Sequence, residues 1–190
     1  MFFIHKPSEQ KIKAFLAAQR DQVFSYAPLG LTRDLLTSGY TVDHYRVQLG
    51  HGSQAFQTAC RALQSWKMFD IGWVQLFRKD TPIETGSIVA LVVAHLGFWS
   101  LNACRIVYTF DEQPARYGFA YGTLPAHAER GEESFSVEWR PEDDSVWYAV
   151  VAVSRPGPLA KLGYPYTRSL QKRFARDSQR AMLQAVNEQR

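Results

Sequence analysis

Cysteine is scarce in this sequence, and long hydrophobic runs are missing. Cys60 and Cys104 are the only thiols in 190 residues, and they lack metal-ligand spacing. We therefore expect no disulfide framework and two reduced, buried thiols. The longest apolar stretch, 88–101, is interrupted by His95 and Ser100 and falls short of the roughly 20 residues that a membrane helix requires. We interpret it as buried strands and expect no membrane span.

A strong excess of one charge is also missing. The chain has 22 basic and 18 acidic residues, a formal net charge of +4. The basic residues near the C-terminus alternate with acidic and neutral positions instead of forming a run, and no recognised nucleic-acid motif accompanies them. We therefore expect no nucleic-acid partner, and the sequence predicts no cofactor.

The N-terminal segment lacks the pattern of a secretory signal. It begins Met-Phe-Phe-Ile-His-Lys, with no basic segment leading into an apolar run and no small-residue cleavage site behind it. A cytoplasmic location is the default expectation.

Hydrophobic and aromatic residues, in contrast, are plentiful. They make up 46% and 14% of the chain, which is enough for one domain over residues 1–190 that buries about two-thirds of its unfolded surface. An amphipathic pattern predicts an additional N-terminal helix at about 7–22. A strand is predicted at 40–49 and a second helix from Ser53, a candidate N-cap, to Trp66.

Strand-like segments then follow one another without an intervening helix. They are predicted at 72–77, 87–95, 103–110, 115–123, 134–139 and 146–154. Because the connections leave no room for crossover helices, the strands must pair mainly as antiparallel hairpins. Apolar residues at helical spacing, with polar residues on the other faces, predict a long terminal helix that begins near Pro158 or Pro165.

Side-chain alternation gives two of these strands distinct faces. In 134–139 it predicts a buried face of Phe135, Val137 and Trp139 and a solvated face of Ser134, Ser136 and Glu138. In 115–123 the aromatic residues share one face, and Gly118, Ala120 and Gly122 share the other, which permits close approach of a helix or strong sheet curvature. The whole order predicts an α+β helix-grip fold, in which a curved antiparallel sheet of about six to seven strands wraps around a long C-terminal helix.

The segment 121–135 carries a family resemblance. Its sequence, Tyr-Gly-Thr-Leu-Pro-Ala-His-Ala-Glu-Arg-Gly-Glu-Glu-Ser-Phe, resembles the hallmark of the domain-of-unknown-function family numbered 1990. The resemblance extends over about 40–180, through Gly-His-Gly at 50–52 and Ser-Arg-Pro at 154–156 followed by Pro165, Arg168 and Gln171. That family is similar to the START-like and birch-pollen-allergen superfamily, whose members commonly bind apolar molecules. The resemblance therefore implies a cavity but assigns no activity to any residue.

One acid–base cluster stands out within this segment. His127, Glu129 and Glu132 lie close in sequence, and an imidazole beside a carboxylate can transfer a proton near neutral pH. A structural explanation stays open, in which Gly131 makes a turn, Glu132 and Glu133 are solvated and His127 bonds to backbone. The three residues lack the helical spacing of known zinc motifs, and we expect no metal.

Aromatic side chains with polar tips are candidates to line the implied cavity, although core packing accounts for them equally well. Arg155 is a candidate for an anionic group at the mouth, or for an ordinary pair with a loop carboxylate. The predicted ligand-binding residues are Tyr108, Tyr117, Tyr121, Trp139, Arg155, Tyr166, Leu170 and Phe174.

Three functions follow from these candidates. The first is binding of an apolar or amphipathic small molecule between the sheet and the terminal helix. The second is an enzyme that uses the same pocket with His127 as acid or base. The third is a protein-interaction module, which an extensive exposed apolar patch would favour.

Overall fold

One antiparallel sheet dominates the fold. The computed structural model describes residues 1–34, 38–157 and 164–188. The strands of the sheet are β1 (Phe2–Phe3), β2 (Thr41–His51), β3 (Val74–Phe77), β4 (Ile88–His95), β5 (Phe98–Glu112), β6 (Arg116–Thr123), β7 (Glu129–Arg140) and β8 (Ser145–Pro156). They pair in the order β2-β8-β7-β6-β5-β4-β3, with β1 on β5. Every pairing is antiparallel, as the short connections predicted.

Helices precede, interrupt and close this sheet. They are α1 (Glu9–Gln19), α2 (Leu31–Asp34), α3 (Gly52–Gln64) and α4 (Tyr164–Asn187), with a 3-10 turn at Lys67–Phe69. Of the two predicted starts of the terminal helix, Pro165 lies in its first turn, and Pro158 falls outside the described residues. No helix within the described ranges is both long and apolar enough to cross a membrane.

The junction between β2 and α3 differs from the sequence prediction. Ser53 was expected to cap the helix, but α3 already begins at Gly52, and the cap residue is His51, whose side chain makes no capping bond. Gly52 has a φ of +82°, which glycine adopts without a Cβ clash. Its backbone N–H donates to the Asp144 carbonyl at 2.9 Å, so the first free amide of the helix is satisfied without a side chain.

The packed core fills one end of the curled sheet. α3 and the 3-10 turn lie against the sheet there, and α4 packs on both with the buried residues of its C-terminal half. The largest fully buried side chains of this region are Phe56, Leu63, Trp66, Phe69, Phe119, Phe135 and Tyr148. Because α3 occupies this end, the N-terminal half of α4 faces the sheet at the other end.

The N-terminal segments cover part of the outer face of the sheet. α1 packs Ile12 and Phe15 on β4 and β5. Tyr26 lies directly over Gly122, where a Cβ would come within 2.2 Å of the Tyr26 hydroxyl oxygen. The predicted close approach at this glycine is therefore that of a tyrosine ring and not of a helix.

The prediction of a solvated face on β7 is wrong at two positions. Ser134 and Ser136 are buried instead of exposed. Tyr108 hydrogen bonds to Ser134, and the Phe110 ring lies over Gly118, the register partner of Ser136. Alternation correctly marks these serines as the face opposite Phe135, but it does not reveal that neighbouring segments cover that face as well.

Candidate functional site

A large cavity lies between the inner face of the sheet and the N-terminal half of α4. Its volume is about 1120 Å³, at the upper end of the range for small-molecule sites. The wall is mainly apolar. Its principal hydrophobic residues are Trp73, Val74, Leu91, Val93, Tyr121, Leu170 and Phe174. The cavity exists because α4 spans the sheet at a distance here, whereas α3 fills the opposite end.

Exposed apolar side chains form one edge of the cavity. Phe2, Leu96 and Phe98 contribute to its wall and are at least half exposed, and Tyr166 of α4 lies beside them at 36% exposure. Leu96 is in the turn between β4 and β5 and has a φ of +49°. This edge places apolar side chains where the cavity meets solvent.

The Glu133 carboxylate faces the cavity from β7. The Tyr121 hydroxyl on the neighbouring strand donates to its Oε2 at 2.7 Å. Burial raises the pKa of Glu133 to about 7, and the nearby Glu129 carboxylate acts in the same direction. Burial likewise holds the pKa of the Tyr121 hydroxyl well above its usual value. Glu133 thus changes charge close to neutral pH.

Two further carboxylates connect the sheet to α4. Gln171 donates to Glu129 Oε1 at 2.6 Å and to Ser154 Oγ at 3.2 Å, and burial raises the pKa of Glu129. Arg168 donates to Asp43 Oδ1 at 2.7 Å and holds the pKa of that carboxyl below its usual value. These bonds position the cavity-facing half of the helix.

His127 lines the cavity with a neutral imidazole. Its Nδ1 accepts the backbone N–H of Glu129 at 3.0 Å, so the ring proton is on Nε2. Burial lowers the pKa of His127 to about 4. At neutral pH the ring therefore contributes a hydrogen-bonding edge and no positive charge.

The structure does not bring Glu132 to His127. The Glu132 side chain lies on the outer side of β7, where Tyr26 donates to Oε2 at 2.7 Å and the Gly30 N–H donates to the same oxygen at 2.9 Å. Thr32 donates to Oε1 through its backbone N–H at 3.0 Å and its hydroxyl at 2.5 Å. Glu132 thus drops out of the expected acid–base cluster, because alternation along β7 points it away from the cavity.

The described residues offer no alternative metal centre. No group of three or more His, Cys, Asp or Glu side chains within them is arranged to hold an ion. Cys60 and Cys104 are buried free thiols.

A family model places the chain among known sequences. The model described as "Domain of unknown function (DUF1990)" matches residues 25–181, which include the cavity strands and most of α4. The chain belongs to the DUF1990 family. The predicted family resemblance is therefore confirmed, and it begins earlier in the chain than the resemblance at 40–180.

A relative and two solved structures place this DUF1990 protein more closely. A UPF0548 protein of Dictyostelium discoideum is 38% identical over 207 residues, covering 98% of this chain and 96% of the relative. The crystal structure of Ara h 8.0201 has a TM-score of 0.51 at 12% identity, covering 79% of this chain and 99% of its own. That of the Zhui aromatase/cyclase from Streptomyces sp. R1128 has a TM-score of 0.52 at 14% identity, covering 78% and 94%. These likenesses confirm the helix-grip fold.

Four of the ligand-binding residues predicted for this DUF1990 protein line the cavity. They are Tyr121 on β6 and Tyr166, Leu170 and Phe174 on α4. The helical residues recur at spacings of four, which places them on the stripe that faces the sheet. Tyr121 is on the inner face of β6, as the aromatic alternation predicted.

The other four predicted residues lie elsewhere. Tyr117 and Trp139 pack at the α3 end of the core, where Trp139 contacts Phe56. Tyr108 is on the outer side of the sheet and shares a 2.8 Å hydrogen bond with the Thr32 hydroxyl. Arg155 is exposed and stacks over the Tyr40 ring at 4.9 Å, and it binds no carboxylate and does not line the cavity within the part of the chain that the structure describes.

Glu133 is a cavity residue that the sequence analysis left out of the acid–base cluster and that its structural alternative described as solvated. Its position was predictable from strand parity, since Phe135 faces inward and residues two, four and six positions earlier share that face. Those residues are Glu133, Gly131 and Glu129. The error arose because the predicted strand began at residue 134, whereas β7 begins at Glu129.

Glu133 predicts a measurable pH dependence of stability. Because the folded state raises its pKa from 4.5 to about 7, its stabilising contribution is complete below pH 4.5 and is lost as the pH rises through about 7. We expect wild-type protein to lose on the order of 2–3 kcal/mol relative to Glu133→Gln across this window. Urea unfolding of both proteins at several pH values measures the difference, and parallel stability curves would contradict the assignment.

Proposed function

We propose that this DUF1990 protein binds one apolar or amphipathic small molecule in the cavity between the sheet and α4. The observation that best supports this proposal is a mainly apolar cavity of about 1120 Å³ in a domain whose opposite end is close-packed. Protein interiors normally pack like organic crystals, so a space of this size is unusual unless it serves a ligand. The fold shared with Ara h 8.0201 is consistent with such a pocket.

The polar groups of the wall support orientation of such a ligand. Tyr121, Glu133 and His127 present hydrogen-bonding atoms within an apolar surround. A small-molecule site usually has a few polar groups among many hydrophobic ones. The rings and methylene groups of the hydrophobic side chains supply affinity, and the polar atoms select the orientation of the ligand.

A catalytic use of the cavity is a second candidate, and the carrying observation is Glu133. A carboxyl group with a pKa of about 7 is matched to proton transfer near neutral pH. For this second candidate, the raised pKa favours Glu133, with the Tyr121 hydroxyl in contact, over His127 as the acid–base residue. The Nδ1 atom of His127 already accepts a backbone N–H, and Glu132 lies on the other face of the sheet, where it cannot orient the imidazole.

Titration with N-phenyl-1-naphthylamine, a probe that is uncharged at neutral pH and fluoresces in apolar surroundings, tests the proposal. We expect saturable binding of one probe per chain with a dissociation constant on the order of micromolar, since burying the phenyl and naphthyl groups offsets the cost of immobilising them. Decan-1-ol should displace the probe competitively. Fluorescence that rises linearly without saturation, or that decan-1-ol leaves unchanged, would sink the proposal.

A further inference from the structure

Three carboxylates, those of Asp43, Glu129 and Glu133, face the cavity from the sheet although the chain carries a net charge of +4. Arg168 binds Asp43, Lys172 acts on the same carboxyl, and Met1, with its ammonium, also borders the cavity. Glu129 and Glu133 instead accept hydrogen bonds from neutral side chains. These two carboxylates are therefore the ones that a cationic ligand group can neutralise.

A row of register partners crosses the sheet where Glu133 and Asp43 face the cavity. Tyr121 pairs with Glu133, Glu133 pairs with Ala152, and Ala152 pairs with Asp43. Adjacent strands are about 4.8 Å apart, so the backbones of Glu133 and Asp43 are separated by roughly 10 Å. Ala152 contributes only a methyl group between them. The row therefore leaves room for a small head group flanked by two carboxylates.

A cationic head group fits this position better than a neutral or anionic one. Glu133 Oε2 accepts the Tyr121 hydroxyl, and the carboxylate retains further lone pairs. An ammonium has three N–H donors and no acceptor, so it can bind Glu133 without leaving a donor facing another donor. A carboxylate head would bring a second negative charge next to Glu133, which is unfavourable in apolar surroundings.

We propose, on the basis of the ligand-binding function above, that the natural occupant is an amphiphilic amine. Its ammonium group lies over Ala152 and binds Glu133, and its apolar body lies along Leu91, Leu170 and Phe174. The Glu133 carboxylate selects the charge of the head group. The hydrophobic residues of the wall supply the contact area that holds the apolar body of the ligand. Anionic amphiphiles with the same body are selected against.

Three probes with the same ten-carbon body test this proposal: decylamine, decan-1-ol and sodium decanoate. Each displaces N-phenyl-1-naphthylamine from the intact wild-type chain at about pH 7.5, where decylamine is cationic and decanoate is anionic. We expect decylamine to displace the probe at a concentration at least about tenfold lower than decan-1-ol, and decanoate to be the weakest. This ranking needs no variant and does not depend on how any substitution folds.

Glu133→Gln assigns the selectivity to its residue. The amide keeps the size of the side chain and removes its charge, so the preference for decylamine should fall roughly tenfold while displacement by decan-1-ol is retained. Glu142→Gln, in the exposed turn after β7, removes the same charge from the surface and should preserve the wild-type ranking.

The outcomes separate this proposal from the function on which it rests. If decan-1-ol binds as tightly as decylamine, or if decanoate binds more tightly, the amine proposal is overturned and apolar binding stands. A wild-type preference that Glu133→Gln leaves unchanged overturns the assignment to Glu133. If none of the three displaces the probe, both proposals fail.

Discussion

Replacing Glu132 with alanine is expected to lower the free energy of unfolding by roughly 3–5 kcal/mol, because each buried donor left without an acceptor costs about 1–3 kcal/mol. The Glu132 side chain is 2% exposed, and four groups donate hydrogen bonds to its two oxygens. Alanine removes the acceptor and leaves the Tyr26 hydroxyl and the Gly30 and Thr32 amides with no replacement in a site closed to bulk water. The loss is large because these donors give up their hydrogen bonds to water when the chain folds and, in the variant, gain no acceptor in exchange.

Chemical unfolding of Glu132→Ala beside Glu138→Ala measures this effect with a control on the same strand. Glu138 is partly exposed and forms a 3.4 Å ion pair with Arg116, so its removal should cost no more than about 1 kcal/mol. Similar losses in the two variants would contradict a buried acceptor role for Glu132. Glu132→Gln should fall between them, since its amide nitrogen would face donors on one side.

The hydrogen bonds of Glu132 on the outer face of the sheet also fix the orientation of Glu133, the next residue of β7, toward the cavity. Tyr26, Gly30 and Thr32 all precede β2 in the chain, and Glu132 fastens this segment to the outside of the sheet. Burial and the adjacent Glu132 hold the pKa of the Tyr26 hydroxyl well above its usual value, so it remains a donor. Two consecutive glutamates thus point to opposite faces of the sheet. Glu132 anchors the N-terminal segment on the outside, and Glu133 faces the cavity.

Replacing Leu170 with aspartate is expected to weaken probe binding by at least about thirtyfold, or roughly 2 kcal/mol. Leu170 faces the cavity from α4 and is only partly buried. A bound apolar molecule would strip water from the new carboxylate without offering a hydrogen bond in return. Stability should change less than affinity, because the carboxylate stays hydrated until the ligand enters.

Ser169→Asp supplies the matched control for this experiment. Ser169 is the preceding residue of the same helix and is exposed, so the variant adds the same charge outside the cavity. Its affinity for N-phenyl-1-naphthylamine should stay within about twofold of wild type, as surface substitutions usually have small effects. Equal losses in the two variants would mean that the probe senses the charge of α4 and not the cavity wall.

Much of the fold could be predicted because its local patterns agree with its tertiary structure. Short connections between strand-like segments allow only hairpins, and the spacing of Leu170 and Phe174 marks the stripe of α4 that meets the sheet. The same stripe located three of the eight predicted ligand-binding residues, Tyr166, Leu170 and Phe174. These signals act over a few residues, so a single sequence contains them.

The missed features depend on contacts between distant segments. Tyr117 and Trp139 alternate like cavity residues, but α3 packs at their end of the sheet and removes them from the cavity. Glu132 and Glu133 are identical in type, and strand parity distinguishes them only once β7 is known to begin at Glu129. That Tyr26 would lie over Gly122 required the three-dimensional path of the N-terminal segment.

Native mass spectrometry of gently purified protein tests the central claim most directly. The mass of the folded chain is compared with that of the unfolded chain, and any molecule released on unfolding is identified. We predict one small apolar or amphipathic molecule per folded chain, replaceable by added N-phenyl-1-naphthylamine and absent from Leu170→Asp. A folded chain that carries no molecule and takes up none of the added probe would contradict a ligand-binding cavity.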